Sequence, residues 1–222
     1  MVMSRRPVLL AVIIIVGATV VAEGISAQDF GDRKARAGLT IGPGFSGGAS
    51  MIIESAEGWK VKPVFAWRGE ASATYPLTTV INAGLSLGVD SRGTRSHHFK
   101  IEDLYTDTRV TYFSLVPDFT FSGFSVGFNF GFPLSGWTTY VNGSTSDIDG
   151  KELPTLLEAQ IGGVIPIVDD DLGWLSLTIL GGFTFSELVD YPEPVDTFGD
   201  WRHVALQLGL RFEFLIPDTE RK

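Results

Sequence analysis

Residues Val80 to Asp90 alternate strictly between two kinds of side chain. Ile81, Ala83, Leu85, Leu87 and Val89 make an apolar set, and Asn82, Gly84, Ser86, Gly88 and Asp90 a polar one. In an extended chain successive side chains point to opposite faces, so this is a strand with one apolar face. The pattern recurs. Phe124, Val126, Phe128, Phe130 and Phe132 alternate with Ser125, Gly127, Asn129 and Gly131. Val204, Leu206, Leu208, Leu210, Phe212 and Phe214 alternate with His203, Ala205, Gln207, Gly209, Arg211 and Glu213. Across Val64 to Tyr75, Phe65, Trp67, Gly69, Ala71, Ala73 and Tyr75 oppose Arg68, Glu70, Ser72 and Thr74. Fainter versions occupy Ala35 to Phe45, Arg109 to Phe121, Thr155 to Ile167 and Gly173 to Phe185.

The pattern predicts eight strands and almost no helix. They run about nine to fourteen residues, against the five or six usual in globular proteins and the 9–11 or so that a tilted strand needs to cross a bilayer. Their connections alternate in length. Short turns fall at Pro76-Leu77-Thr78, Ser122-Gly123 and Val168 to Leu172; long links cover 46–63, 91–108, 134–154 and 186–200. Transmembrane barrels sort their connections this way, with short turns on one side and long loops on the other. The fold expected is all-β: an eight-stranded antiparallel up-and-down barrel with short periplasmic turns and long extracellular loops.

Alternation leaves open which face is inside. A soluble calyx turns its apolar face inward, and a membrane barrel turns it to lipid. The polar face favours the second. It is rich in small residues such as Gly84, Gly88, Gly127, Gly182 and Gly209, which relieve crowding in a narrow interior. It also carries both signs of charge in mid-strand: Arg36, Arg68 and Arg211 with Glu70, Asp118, Glu158 and Glu213. Facing lipid, such a charge costs about 2–4 kcal/mol near the midplane; facing a narrow interior, these seven can pair. Trp67, Tyr75, Phe113, Phe183, Phe185 and Phe214 sit near strand ends on or beside the apolar face, as in interfacial girdles. Pro43, Pro117 and Pro166 lack the ladder donor and are expected at bulges or strand ends.

Composition adds a leader and a location. Arg5 and Arg6 precede an apolar run from Pro7 to Ala22, and Ile25-Ser26-Ala27 closes it with a small residue. This predicts a cleaved secretory signal peptide over 1–27 and a barrel domain over 28–222. Loss of Arg5, Arg6 and Glu23 takes the formal charge from −9 to −10. Zero cysteines exclude a disulfide scaffold, and the acidity argues against nucleic acid as a partner. The cell outer membrane of a Gram-negative bacterium is the expected location, with a monomer in outer-membrane lipid.

The final strand, Gln207 to Phe214, has a polar residue, then Gly209, then Phe212 and Phe214. It resembles the terminal targeting strand that the barrel-assembly machinery reads, although a tail, Leu215 to Lys222, follows it. The whole chain resembles the small OmpA/OmpX-like outer-membrane barrels. Ala37 to Gly42 and Phe113 to Pro117 resemble segments of the PorT-like outer-membrane β-barrel family, with Asp118 departing from the aliphatic residue usual there. The resemblance implies an envelope-structural or surface-interaction role through the outer loops, where Tyr105, Trp137, Tyr140 and Tyr191 are candidate contacts with a surface or periplasmic protein.

Two rival functions follow from the same architecture: a narrow pore for small solutes, and a lipid-A-modifying enzyme. For the enzyme, His203 faces inward near the outer rim, with Asp200 close in sequence and Ser186 or Ser176 as nucleophile; a triad is recognised by geometry. The plainer role of His203 is a rim hydrogen bond. No catalytic site, metal or cofactor is expected. His97-His98 points to opposite sides, and the loop acids Asp103, Asp107, Asp190 and Glu193 read as a solvated face.

Overall fold

The computed structural model describes residues 38–53, 59–78, 80–98, 105–140, 142–169, 173–187 and 202–217. The strands are β1 (Gly38–Ile52), β2 (Trp59–Lys62), β3 (Val64–Pro76), β4 (Ile81–His98), β5 (Tyr105–Phe121), β6 (Phe124–Thr139), β7 (Thr145–Asp149), β8 (Leu156–Asp169), β9 (Gly173–Glu187) and β10 (Arg202–Pro217). A short 3-10 turn, Gly150–Glu152, follows β7.

Eight long strands pair in a ring. Following β3, β4, β5, β6, β8, β9, β10 and β1, each pairs antiparallel with the next, and β1 pairs with β3. This is an eight-stranded antiparallel up-and-down β-barrel. The two short strands are extensions: β2 continues β3 beyond Pro63 along β4, and β7 folds back onto β6. At the opposite end, Ser122 (φ 46°) and Gly123 (φ 84°) form the two-residue turn between β5 and β6. Two consecutive positive-φ residues give the turn whose twist matches a hairpin's strands.

The strands reach further than alternation predicts. The links expected over 46–63, 91–108 and 134–154 contain the ends of β1, β4, β5 and β6 and the whole of β2 and β7. Tyr105 and Trp137 are accordingly strand residues, and so is Asp107. The physical reason is that hydropathy alternates only where one face must be apolar. Beyond that band, backbone pairing continues while both faces carry polar residues. Part of the fourth link, 188–200, lies outside the described residues, as does the leader.

All three prolines sit at ladder interruptions. Pro166 is at a bulge, where pairing passes from Pro166–Ser176 to Val168–Leu175. Pro43 falls in a gap of the β1–β10 ladder, between Ile41–Phe214 and Gly44–Arg211. Pro117 falls in a gap of the β5–β6 ladder, between Leu115–Phe130 and Asp118–Gly127.

The apolar face points outward. Phe45, Phe65 and Leu208 are 59%, 60% and 57% exposed, and Leu85, Leu87, Phe119, Phe128, Leu206 and Leu210 share that surface. Polar side chains are inside: Ser72, Ser86, Ser114, Ser125, Thr178 and Gln207 are all buried. From Phe124 to Phe132, β6 rises roughly 27 Å, or about 21 Å along a barrel axis tilted ~40° from it. That is close to the roughly 25 Å apolar band of transmembrane barrels.

Candidate functional site

The interior is the most distinctive chemical environment of the molecule, and glycine makes room for it. A Cβ on Gly182 of β9 would lie 2.5 Å from the Glu158 carboxyl carbon, and one on Gly84 of β4 would lie 2.4 Å from Asp118 Oδ1. Each glycine leaves room for a carboxylate on the neighbouring strand: Gly182 pairs with Gln160, two residues from Glu158, and Gly84 pairs with Asp118 itself.

Two charge clusters occupy the space so created. Nearer the loop end, Arg68, Asp90, Arg92 and Glu158 are almost wholly buried. Arg68 Nη2 donates to Asp90 Oδ2 at 3.0 Å. Arg92 donates to the same oxygen from Nε at 3.0 Å and Nη2 at 2.8 Å. Arg92 also takes Glu158 with both terminal nitrogens, Nη2 to Oε1 at 3.0 Å and Nη1 to Oε2. Asn129 Nδ2 donates to Asp90 at 3.1 Å, Arg68 Nη1 donates to Gln160 Oε1 at 3.2 Å, and Gln160 donates to Glu158. The cluster has two cations and two carboxylates, and it joins β3 and β4 to β6 and β8 across the lumen.

Nearer the turn end, Arg211 Nη2 donates to Glu70 Oε1 at 2.7 Å. Glu213 accepts from Thr74 Oγ1 at 2.7 Å and from the Trp174 indole. Asp118 accepts from Thr120 Oγ1 at 3.5 Å. Arg211 is the guanidinium among Glu70, Asp118 and Glu213, and Arg68 Nη1 approaches Glu70 Oε2 at 4.0 Å from the other cluster. Beside the loop-end cluster, Val110, Tyr112, Leu153 and Leu156 pack together, with Ile148 against them; Tyr112 and Val110 are the register partners of Asp90 and Arg92.

Sequence reading finds Arg68, Glu70, Asp118, Glu158, Arg211 and Glu213, and the structure brings them to the inner face. It misses Asp90 as a network member and Arg92 altogether, because 91–108 reads as a link. The usable signal is the polar alternation, which continues past Asp90 through Arg92 and Thr94. Arg36 lies outside the described residues.

The terminal-strand residues divide between the faces. Gln207 is buried and accepts from Ser46 Oγ at 3.3 Å. Gly209 is inward, where a Cβ would meet Phe45, Ser46 and Thr178 at 2.7 Å. Phe212 and Phe214 face outward and stack edge-to-face at 4.5 Å. Among the expected contacts, Trp137 and Tyr140 are exposed, and Tyr105 is half-buried beneath Arg95, 5.6 Å from its ring. Tyr191 lies outside the described residues.

His203 is buried, and neither ring nitrogen has a hydrogen-bond partner among the described residues. Its backbone exchanges hydrogen bonds with Thr184 Oγ1, at 2.5 Å and 3.3 Å. Ser186 Oγ accepts from the Leu157 backbone N–H at 2.9 Å, and Ser176 pairs in register with Arg211 near the other end of the strand. Asp200 lies outside the described residues. No described serine is bonded to the imidazole. Asp107 is not a free loop acid either: Arg95 reaches it at 2.5 Å and Arg109 at 3.2 Å.

No family model and no curated protein matches the chain. Solved structures do. Ail, the attachment invasion locus protein of Yersinia pestis, is 15% identical with a TM-score of 0.41, covering 81% of this chain and 99% of that one. OprG from Pseudomonas aeruginosa is 10% identical with a TM-score of 0.37, covering 82% and 99%. AlkL, solved in DMPC lipid bilayers, is 13% identical with a TM-score of 0.40, covering 84% and 94%. All three are small outer-membrane β-barrels.

Proposed function

We propose that this chain is an integral outer-membrane protein whose interior is plugged by ion pairs, and that it acts in envelope structure or surface contact through its long-stranded outer end. One observation carries the reading: an apolar band faces outward while paired charges fill the lumen. Water-exposed monomers rarely show contiguous apolar patches beyond a few hundred Å², and lipid removes that cost. Backbone pairing around the ring satisfies the strands' polar groups, as hydrocarbon requires. Side chains bridging β4 to β8 and β3 to β8 favour a plug over a conduit. Gln207, Gly209, Phe212 and Phe214 are then the strand offered to the barrel-assembly machinery, and 1–27 the export signal. The PorT-like affinity rests on two short segments and belongs to this same reading.

The test combines fractionation with electrical recording. The protein is expected in the outer-membrane fraction, with gel mobility that changes on heating, and without channel steps in planar bilayers. Recovery as a soluble periplasmic protein would refute the membrane reading, and discrete conductance steps would refute the plug.

A further inference from the structure

Beyond the apolar band, the strand extensions of β2, β4 and β5 carry a group of cations on the face continuous with the lipid-facing surface. Register places them together. Lys62 is opposite Arg95, Arg95 is opposite Asp107, and Lys60 is opposite His97. Arg109 lies two residues along β5 on the same face as Asp107. Lys60, Lys62 and Arg95 are exposed, and Arg109 is half-buried. Among the described residues, four cations therefore share this stretch of the outer face with Asp107, which contacts Arg95 and Arg109, in a protein whose formal charge is −9. On the β6 side the patch ends at Trp137, the register partner of Arg109, and then Asp147 on β7.

The two guanidiniums are held in place. Asp107 Oδ2 takes Arg95 through Nε at 3.1 Å and Nη2 at 2.5 Å, while Oδ1 takes Arg109 Nε at 3.2 Å. Arg109 Nη1 also donates to the Phe65 carbonyl at 2.6 Å, where the β3–β4 ladder is interrupted. Arg95 lies over the Tyr105 ring. Among the described residues of β2, β4 and β5 on this face, one carboxylate stands against two guanidiniums and two ammonium groups. Among these residues the excess is positive, and it stands beyond the outer apolar band, Arg109 four residues past Phe113 and Arg95 six past Val89, where a lipid's headgroup would lie. Guanidinium pairs suit phosphate oxygens, and lysines add mobile charge.

We propose that Lys60, Lys62, Arg95 and Arg109 form a binding surface for the phosphate groups of a phosphorylated outer-leaflet lipid. The proposal rests on the membrane reading above and names the lipid chemistry that the outer wall selects. Charge complementarity fixes the occupant: a lipid headgroup is the anion presented at that height on a surface facing outward from the barrel.

The protein is folded into phosphocholine nanodiscs, and diphosphorylated lipid A or its dephosphorylated form is added. The midpoint of the heat-induced gel shift is read. Diphosphorylated lipid A is expected to raise it, and the dephosphorylated form is not. Lys60→Gln with Lys62→Gln leaves the Arg95–Asp107–Arg109 group intact and should weaken apparent affinity at least about tenfold. Adding Arg95→Gln should abolish the rise, while Lys151→Gln, on the 3-10 turn, should keep it. A rise of wild-type size in the triple variant would overturn the proposal. So would an equal rise with inorganic phosphate in plain phosphocholine discs, which would mark a site for free anions. Failure to enter phosphocholine discs at all would instead strike the membrane reading, and this proposal with it.

Discussion

Arg92→Gln is the sharpest perturbation of the interior. Arg92 is 1% exposed and supplies four of the contacts that Asp90 and Glu158 receive. Without it, Asp90 keeps Arg68 at 3.0 Å and Asn129 at 3.1 Å, but among the described residues Glu158 keeps only Gln160 and a 4.0 Å approach from Arg68. Both carboxylates are 0% exposed, so water offers little screening. Removing one partner of a buried pair costs about 3–5 kcal/mol, because a charge is left uncompensated. Arg92→Met with Glu158→Met removes both charges and leaves Arg68 with Asp90. Replacing a buried pair by apolar side chains of similar volume is often near neutral, so this double variant should recover most of the loss. Urea unfolding in phospholipid vesicles, followed by tryptophan fluorescence and by gel mobility, measures both. The reasoning fails if Arg92→Gln costs less than about 1 kcal/mol, or if the double variant is less stable than Arg92→Gln alone.

The same unfolding assay checks three further expectations. Gly182→Ala drives a methyl into the Glu158 carboxylate and should cost about 1–3 kcal/mol, while Gly69→Ala, with open space around its Cβ, should be neutral or stabilising by up to about 1 kcal/mol. Phe128→Arg, half-exposed in the middle of the outer band, should cost about 2–4 kcal/mol in bilayers, and a negligible loss there would count against lipid contact. Ser122→Asn suits the positive φ of the β5–β6 turn better than serine does and should stabilise by a few tenths of a kcal/mol, roughly.

Much of the architecture is legible in the sequence because lipid and lumen impose opposite demands on alternate residues. Ile81 to Asp90 declares its two faces without any neighbour, and Ser122-Gly123 declares a tight turn. The prolines could be placed at ladder faults from the missing donor alone. Legibility ends where the demand ends. Past Val89, Leu134 and Phe65 no face must be apolar, so the strand continuations dissolve into apparent loop, and Arg92 vanishes with them.

What the sequence by itself determined is therefore the eight long strands, without their continuations or β2 and β7, their inward and outward faces, and the mixed charge of the inner one. These are local properties, written in residues two apart. Only the tertiary structure decided which charges meet. Arg92 and Glu158 lie on strands that are not neighbours, so no spacing along the chain predicts their contact. Gly182 makes room for a carboxylate on another strand, and Asp107 holds Arg95 and Arg109 together through the register of β4 with β5. Pairing across a lumen depends on strand order and shear, which arise when the ring forms, and the chemistry of both the plug and the basic outer patch is set at that step.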